Sequence, residues 1–226
     1  MAGRIRKKGG YVMSRWVGRV HNGIRRIKNK LYTGLWYRHL FYRIGPRSSI
    51  SPPFYTENPD FVQLGEKVYI GPNCRIEAYP SQPNASSKQP MLIIGNRVTM
   101  EGGVLISCGE SLVIEDDVLI AGRCYISDNN HSFDPLGLPY REQEADMKPT
   151  RIGAGVWLGQ NVCILAGSDI GERSVIGAGS VVRGRIPPYS VAVGSPARVV
   201  KRYSFETKTW VKADEAETAM LRRVQG

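Results

Sequence analysis

Residues 152–187 read IGAGVWLGQNVCILAGSDIGERSVIGAGSVVRGRIP and divide without remainder into six hexads: IGAGVW, LGQNVC, ILAGSD, IGERSV, IGAGSV and VRGRIP. An Ile, Leu or Val opens each hexad, and Val or Ser is usual in the fifth place. The same register runs back through LGEKVY (64–69), IGPNCR (70–75), IGNRVT (94–99), MEGGVL (100–105), IEDDVL (114–119), IAGRCY (120–125) and ISDNNH (126–131). A helix would repeat its apolar face about every 3.6 residues and a half-buried strand about every 2. One large aliphatic and one small residue per six fits neither. It fits a coiled ribbon of short strands in which each turn stacks on the last and buries the first and fifth residues. Glycine in the second place suits a corner where φ is positive or a side chain would clash. Cys74 and Cys124 occupy the small fifth place and read as core filler.

The register breaks twice for long loops, over 77–91 and 132–150, and an extra two residues between the hexads at 106 and 114 mark a smaller bulge. His131 closes the last hexad before the longer break. The inward rule for places one and five turns its side chain outward. A loop carried on a rigid scaffold is where reactive groups tend to stand.

The chain has 226 residues, enough for one sizeable core, and four cysteines without a C-x-x-C spacing, which suggests neither a zinc site nor a disulfide framework. A reducing, cytoplasmic location is expected. The net charge of +11 is uneven: thirteen of the 31 Lys and Arg precede residue 48, and the first acidic residue is Glu57. The remainder is therefore close to neutral, which weighs against a nucleic-acid-binding body. No run is apolar for long enough to span a bilayer, and charges fall where a secretion signal needs its apolar core.

The repeat, the stretch NHSFDPLG (130–137) and the ending GSPARVVK (194–201) together resemble the hexapeptide-repeat acyltransferases. The likeness is greatest to sugar O-acetyltransferases of polysaccharide biosynthesis and to galactoside and maltose acetyltransferases, and it covers roughly 44–200. It implies an all-β fold, a left-handed parallel β-helix with three hexads per triangular coil. Around it we expect three segments: a basic amphipathic helical arm (1–43), the β-helical acyltransferase domain (44–202) and a helical tail (203–226). The γ-class carbonic anhydrases share this fold but bind zinc through three histidines. His131 is the only histidine of the repeat region, so that metal site cannot be built, and no metal is expected.

Acyl transfer from a thioester to a hydroxyl needs a base that works near pH 7, and imidazole suits it. The resemblance places His131 as that catalytic base, with acetyl-CoA as co-substrate and direct transfer without an acyl-enzyme. By position it implies Gln160 and Ala178 on the pantetheine arm. Arg183, Arg198 and Lys201 lie at or beside the phosphate positions, and Trp157 walls the site. Glu101 falls where galactoside acetyltransferases carry an acceptor-binding Asn, and Gly109 where they carry an acceptor-binding Asp, with Glu110 next to it. Asp128 and Asp134 flank the histidine, each either a functional carboxylate or a solvated one. We place Glu101, Glu110 and Asp128 as acceptor-binding. The family's sites lie between subunits of a homotrimer.

The arm combines twelve of the basic residues with Trp16, Ile24, Ile27, Leu31, Leu35 and Trp36; the apolar residues at 24, 27, 31 and 35 share one helical face. It reads as a cap for the first coil or the trimer, or as a peripheral contact with the inner face of the membrane. Nucleic acid is the least favoured partner. The expected activity is acetyl transfer to a sugar hydroxyl of a surface polysaccharide or its lipid-linked precursor. The alternatives are N-acetylation of an amino sugar and a non-catalytic β-helical scaffold.

Overall fold

A computed structural model describes residues 8–80 and 89–214. Short strands stack into three parallel ladders, the faces of a triangular, left-handed prism. The first face holds Arg43–Ile44, Val62–Leu64, Leu92–Ile94, Leu112–Ile114, Thr150–Ile152, Asp169–Ile170 and Arg185–Ile186. The second holds Ser49–Ile50, Tyr69–Ile70, Thr99–Met100, Leu119–Ile120, Trp157–Leu158, Val175–Ile176 and Ser190–Gly194. The third holds Phe54–Glu57, Cys74–Ala78, Leu105–Cys108, Tyr125–Ser127, Cys163–Ile164 and Val181–Val182. The chain visits the faces in that order, so each circuit is one coil, and seven coils are counted along the first face.

The hexad rule is met at the side-chain level. Ile152, Leu158, Ile164, Ile170, Ile176 and Val182, the openers of the quoted stretch, are all fully buried. So are the fifth-place residues Val156, Val162, Ser168, Ser174 and Ser180. The buried serines are satisfied within the coils: Ser174 Oγ donates to the Pro187 carbonyl (2.9 Å) and Ser168 Oγ to that of Leu165 (2.6 Å). Cys74 and Cys124 are buried as expected of filler, and burial raises both thiol pKa values.

The corners separate the two reasons offered for glycine. Positive φ falls in the fourth place of the hexad, as at Lys67, Asn73, Arg97, Asp117, Asn161 and Arg173. Second-place glycines are needed for space instead. A Cβ on Gly65 would lie 2.6 Å from the Gly95 backbone, one on Gly159 2.6 Å from Ala178 N, and one on Gly171 2.2 Å from Pro188 N.

Lys8–Leu35 forms one helix that sits on the open end of coil 1. In the edge strand, the Ser49 and Ser51 N–H groups donate to coil 2, so the Ile50 N–H points the other way, along the prism axis. Thr33 Oγ1 accepts it (2.9 Å), and Asn29 Nδ2 donates to Ser51 Oγ (2.6 Å). An edge N–H that would otherwise be orphaned is thereby paired by a buried side chain. Beyond the helix, Phe41 and Tyr37 pack on Phe54 with ring centroids 6.2 and 5.4 Å apart.

At the other end the tail departs from expectation. Over 203–212 it is extended rather than helical, with Ala197–Ser204 and Thr209–Lys212 adding antiparallel to the second face, and helix begins only at 213–214. The alternation in YSFETKTWVK supports a strand, and Tyr189, Tyr203, Phe205 and Trp210 join it edge to face. The rest of the expected tail, 215–226, lies outside the described residues.

Because the obstacle at Gly171 is backbone rather than a movable side chain, Gly171→Ala should cost about 1–3 kcal/mol and lower the thermal midpoint measurably. Gly23→Ala, in the helix with nothing within 4 Å of the added Cβ, should leave that midpoint unchanged or raise it slightly.

Candidate active site

All the larger departures from the coil occur at the third corner, where the third face passes to the first. The Tyr125–Ser127 strand of coil 4 ends there, and the chain leaves as Asn129–His131. This segment pairs antiparallel with Ala145–Met147, Asn129 opposite Met147 and His131 opposite Ala145. His131 is exposed at the outer end of this ribbon, with residues 132–144 closing it.

The root of the ribbon is fixed by a buried carboxylate. Asp128 is fully buried and accepts the backbone N–H groups of Gly109 (2.6 Å), Glu110 (2.9 Å) and Ser111 (2.7 Å). Cys108 Sγ (3.4 Å) and Asn129 Nδ2 (3.0 Å) donate to it as well. This corrects the expectation that Asp128 grips the acceptor: its oxygens are spent inside the fold, because a buried charge needs hydrogen bonds to be tolerated. It ties the coil 3 bulge, one turn below in the stack, to the root of the His131 ribbon. Burial and the neighbouring carboxylate push the Cys108 thiol far up, so it stays protonated at neutral pH. Gly109 stands where a side chain would press on the ribbon: its Cβ would lie 3.1 Å from that of Asn129 and 3.3 Å from Met147 Cε.

Asn129 extends the anchor. Its Nδ2 donates to the Ser107 carbonyl (3.1 Å) and Oγ (3.1 Å), while its N–H donates to Ser127 Oγ (3.0 Å), which donates to the Asn129 carbonyl (2.8 Å). Thr150 Oγ1 donates to the Ser127 carbonyl (3.0 Å) where the chain re-enters the coil. Ser107, Ser127, Asn129 and Thr150 were missed in the sequence. Their only signal there was an unusual density of small polar residues beside the histidine.

The other expected residues divide between corners. Glu110 is exposed on the third corner, beside the ribbon root. Glu101 is exposed on the second corner, across the third face from His131. Asp134 belongs to the loop's own turn, with Oδ1 accepting the Leu136 N–H (2.9 Å). Gln160 and Ala178 stack on the second corner, where the Gly179 N–H donates to the Gln160 carbonyl (2.8 Å). Arg198 lies opposite Val193 at the top of the same corner, and Lys201 opposite Val191 on the second face. Gly179 leaves that corner open, since a Cβ there would meet nothing within 4 Å. Small residues flanked by two cations could admit the amide-bearing arm and phosphates of a coenzyme A. Arg183 is apart from them, exposed on the third corner. Trp157 projects from the second face, half exposed, in register with Leu119 and Val175. Among the described residues no group of three His, Cys, Asp or Glu could hold a metal ion.

A coiled prism with one exposed histidine on an anchored ribbon is a left-handed β-helix with a candidate reactive site at its third corner. Residues 149–184 match the family model described as bacterial transferase hexapeptide (six repeats). WbbJ of Escherichia coli (strain K12), named for O-acetyl transfer in lipopolysaccharide biosynthesis, is 36% identical over 197 residues, covering 84% of this chain and 93% of that one. A hexapeptide-repeat acetyltransferase of Vibrio cholerae, solved with acetyl coenzyme A, shares 26% identity at a TM-score of 0.55 over 88% of this chain and 91% of that one. A galactoside acetyltransferase solved with coenzyme A shares 25% at 0.53 over 85% and 87%. The chain belongs to the hexapeptide-repeat acetyltransferases and is an acyltransferase.

Asp128→Asn puts an amide N–H₂ among donors that need an acceptor. It should cost several kcal/mol, at about 1–3 per buried group left unpaired, and lower the thermal midpoint accordingly.

Proposed function

We propose that the protein transfers the acetyl group of acetyl-CoA to a sugar hydroxyl of a surface polysaccharide or its lipid-linked precursor, with His131 as general base. The carrying observation is the placement of the repeat region's only histidine, exposed on a ribbon whose root is held by a buried, fully hydrogen-bonded carboxylate. The imidazole takes the acceptor's hydroxyl proton as its oxygen bonds to the thioester carbonyl carbon. The C–S bond then breaks, and the imidazolium returns the proton to the coenzyme A thiolate. Proton transfer by a positioned base contributes about 10²–10⁴ in rate. A backbone N–H near the carbonyl would stabilise the tetrahedral oxyanion.

Gln160, Ala178, Arg198 and Lys201 take the coenzyme, Trp157 walls the site, and Glu110 and Glu101 receive the acceptor. Arg183, on the third corner with His131, takes a phosphate only from across a subunit boundary. Within one chain the His131 corner and the Gln160–Ala178 corner are a prism face apart, roughly 20 Å for six extended residues. That separation favours a homotrimer in which the histidine of one subunit meets the coenzyme corner of the next. Residues 1–43 make the contact with the inner face of the membrane. O-acetylation is preferred over N-acetylation because the relative with 36% identity is named for the former.

His131→Ala should lower kcat/KM for acetyl transfer about 10³-fold while leaving coenzyme A affinity, measured by calorimetry, within twofold of wild type. Unchanged turnover would remove His131 from the chemistry. A wild type that bound no acetyl-CoA would leave a non-catalytic scaffold. Nuclear magnetic resonance of the product distinguishes an ester from an amide.

A further inference from the structure

The N-terminal helix is clipped to coil 1 by its polar side. Asn29 and Thr33 are buried against Ser51 and the Ile50 N–H. At about 100° per residue, the side chains of Val17, Val20, Ile24, Ile27, Leu31 and Leu35 fall within one stripe centred opposite that clip. All six are exposed, from 40 to 74%. Six aliphatics facing away from the hydrophobic core of the described residues amount to an amphipathic helix docked the wrong way round for packing.

Charge decides what covers the stripe. Residues 8–35 carry Lys8, Arg15, Arg19, Arg25, Arg26, Lys28 and Lys30 and no acidic residue, and Arg38, Arg43 and Arg47 follow before the first acid at Glu57. Lys28 and Lys30 are exposed on either side of the stripe, about 60° and 100° from its centre, and Arg25 is exposed nearer the clip. A second copy of this helix would bring like charges together. An anionic lipid surface offers acyl chains to the stripe and phosphates to the rim, at about 1 kcal/mol per basic residue near the surface. No helix among the described residues is long and apolar enough to cross a membrane, so the contact would be in the plane of the interface.

We propose that this helix lies flat on an anionic bilayer with the Val17–Leu35 stripe downward and holds the β-helix upright on the membrane. The orientation follows from one hydrogen bond. The Ile50 N–H points along the prism axis away from coil 2, Thr33 receives it from below, and the stripe lies on the far side of the helix from Thr33. The prism axis therefore stands normal to the lipid. With about 10 Å for the helix and about 4.8 Å per coil, the third corner of coil 4 stands about 25 Å above the interface. If His131 is the base of the proposed reaction, the acetylated hydroxyl belongs to a sugar well removed from the lipid anchor rather than the one attached to it.

The test uses the full-length protein and lipid alone. It should co-sediment with vesicles of phosphatidylcholine containing about one-third phosphatidylglycerol at least tenfold more strongly than with phosphatidylcholine, the difference shrinking as salt rises. Ile24→Glu with Ile27→Glu should abolish that binding without moving the thermal midpoint. Neutron reflectometry on a supported bilayer should give a protein layer about 50 Å thick, from nine stacked strands on the second face and the helix. A layer near half that would overturn the upright orientation. Binding that ignores lipid charge or survives the double variant would overturn the proposal, as would a double variant that changes only the oligomeric state in light scattering. None of these readouts uses acetyl transfer, so they stand or fall apart from His131.

Discussion

Successive coils approach so closely at their corners that a single methylene decides whether the next turn can form. Strands on all three faces hydrogen-bond only upward and downward, so the backbone groups of a coil are satisfied only if its neighbours sit at strand spacing. The second-place glycines permit that approach, because at Gly65, Gly159 and Gly171 a Cβ would overlap the backbone of the coil above. Burial of the first and fifth residues follows from the stacking, and so does the end effect. The edge of coil 1 has no neighbour and receives a threonine hydroxyl in its place. The last coil receives an antiparallel hairpin.

The same constraint positions the chemistry. A chain that must return to register every six residues can accommodate insertions only by leaving and re-entering at a corner. The third corner does this at the coil 3 bulge and at the His131 ribbon directly above it. The rigidity of the prism reaches the ribbon through Asp128, whose two oxygens hold three backbone amides of the coil below. His131, two residues beyond a network of Asp128, Asn129, Ser127 and Thr150, is tied to the order of the coils through the ribbon.

The sequence made the coil legible because its period is intrinsic: residues six apart meet the same environment, so the pattern survives in one dimension. His131 was legible for the same reason, as the last residue in register before a break. What was hidden involves partners in neighbouring coils. Asp128 and Gly109 are nineteen residues apart and looked like neighbours of a site; the fold makes one the clamp and the other the gap it needs. The first ten residues of the tail, 203–212, were read as helix although their alternation suited a strand, since the second face's free edge exists only once the coils have stacked.

The sequence by itself determined the repeat, the coiled ribbon of short strands it implies, the solitary histidine of the repeat region and the basic arm, because each depends on local periodicity, composition or count. Only the tertiary structure decided which way things face. It turned Asp128 inward, divided the residues proposed for the coenzyme from His131 by a prism face, and turned the arm's aliphatic stripe away from the core. These directions depend on which backbone N–H groups remain unpaired after stacking, as at Ile50, and on how little room the next coil leaves, as at Gly109. Neither quantity exists until the coils are in contact.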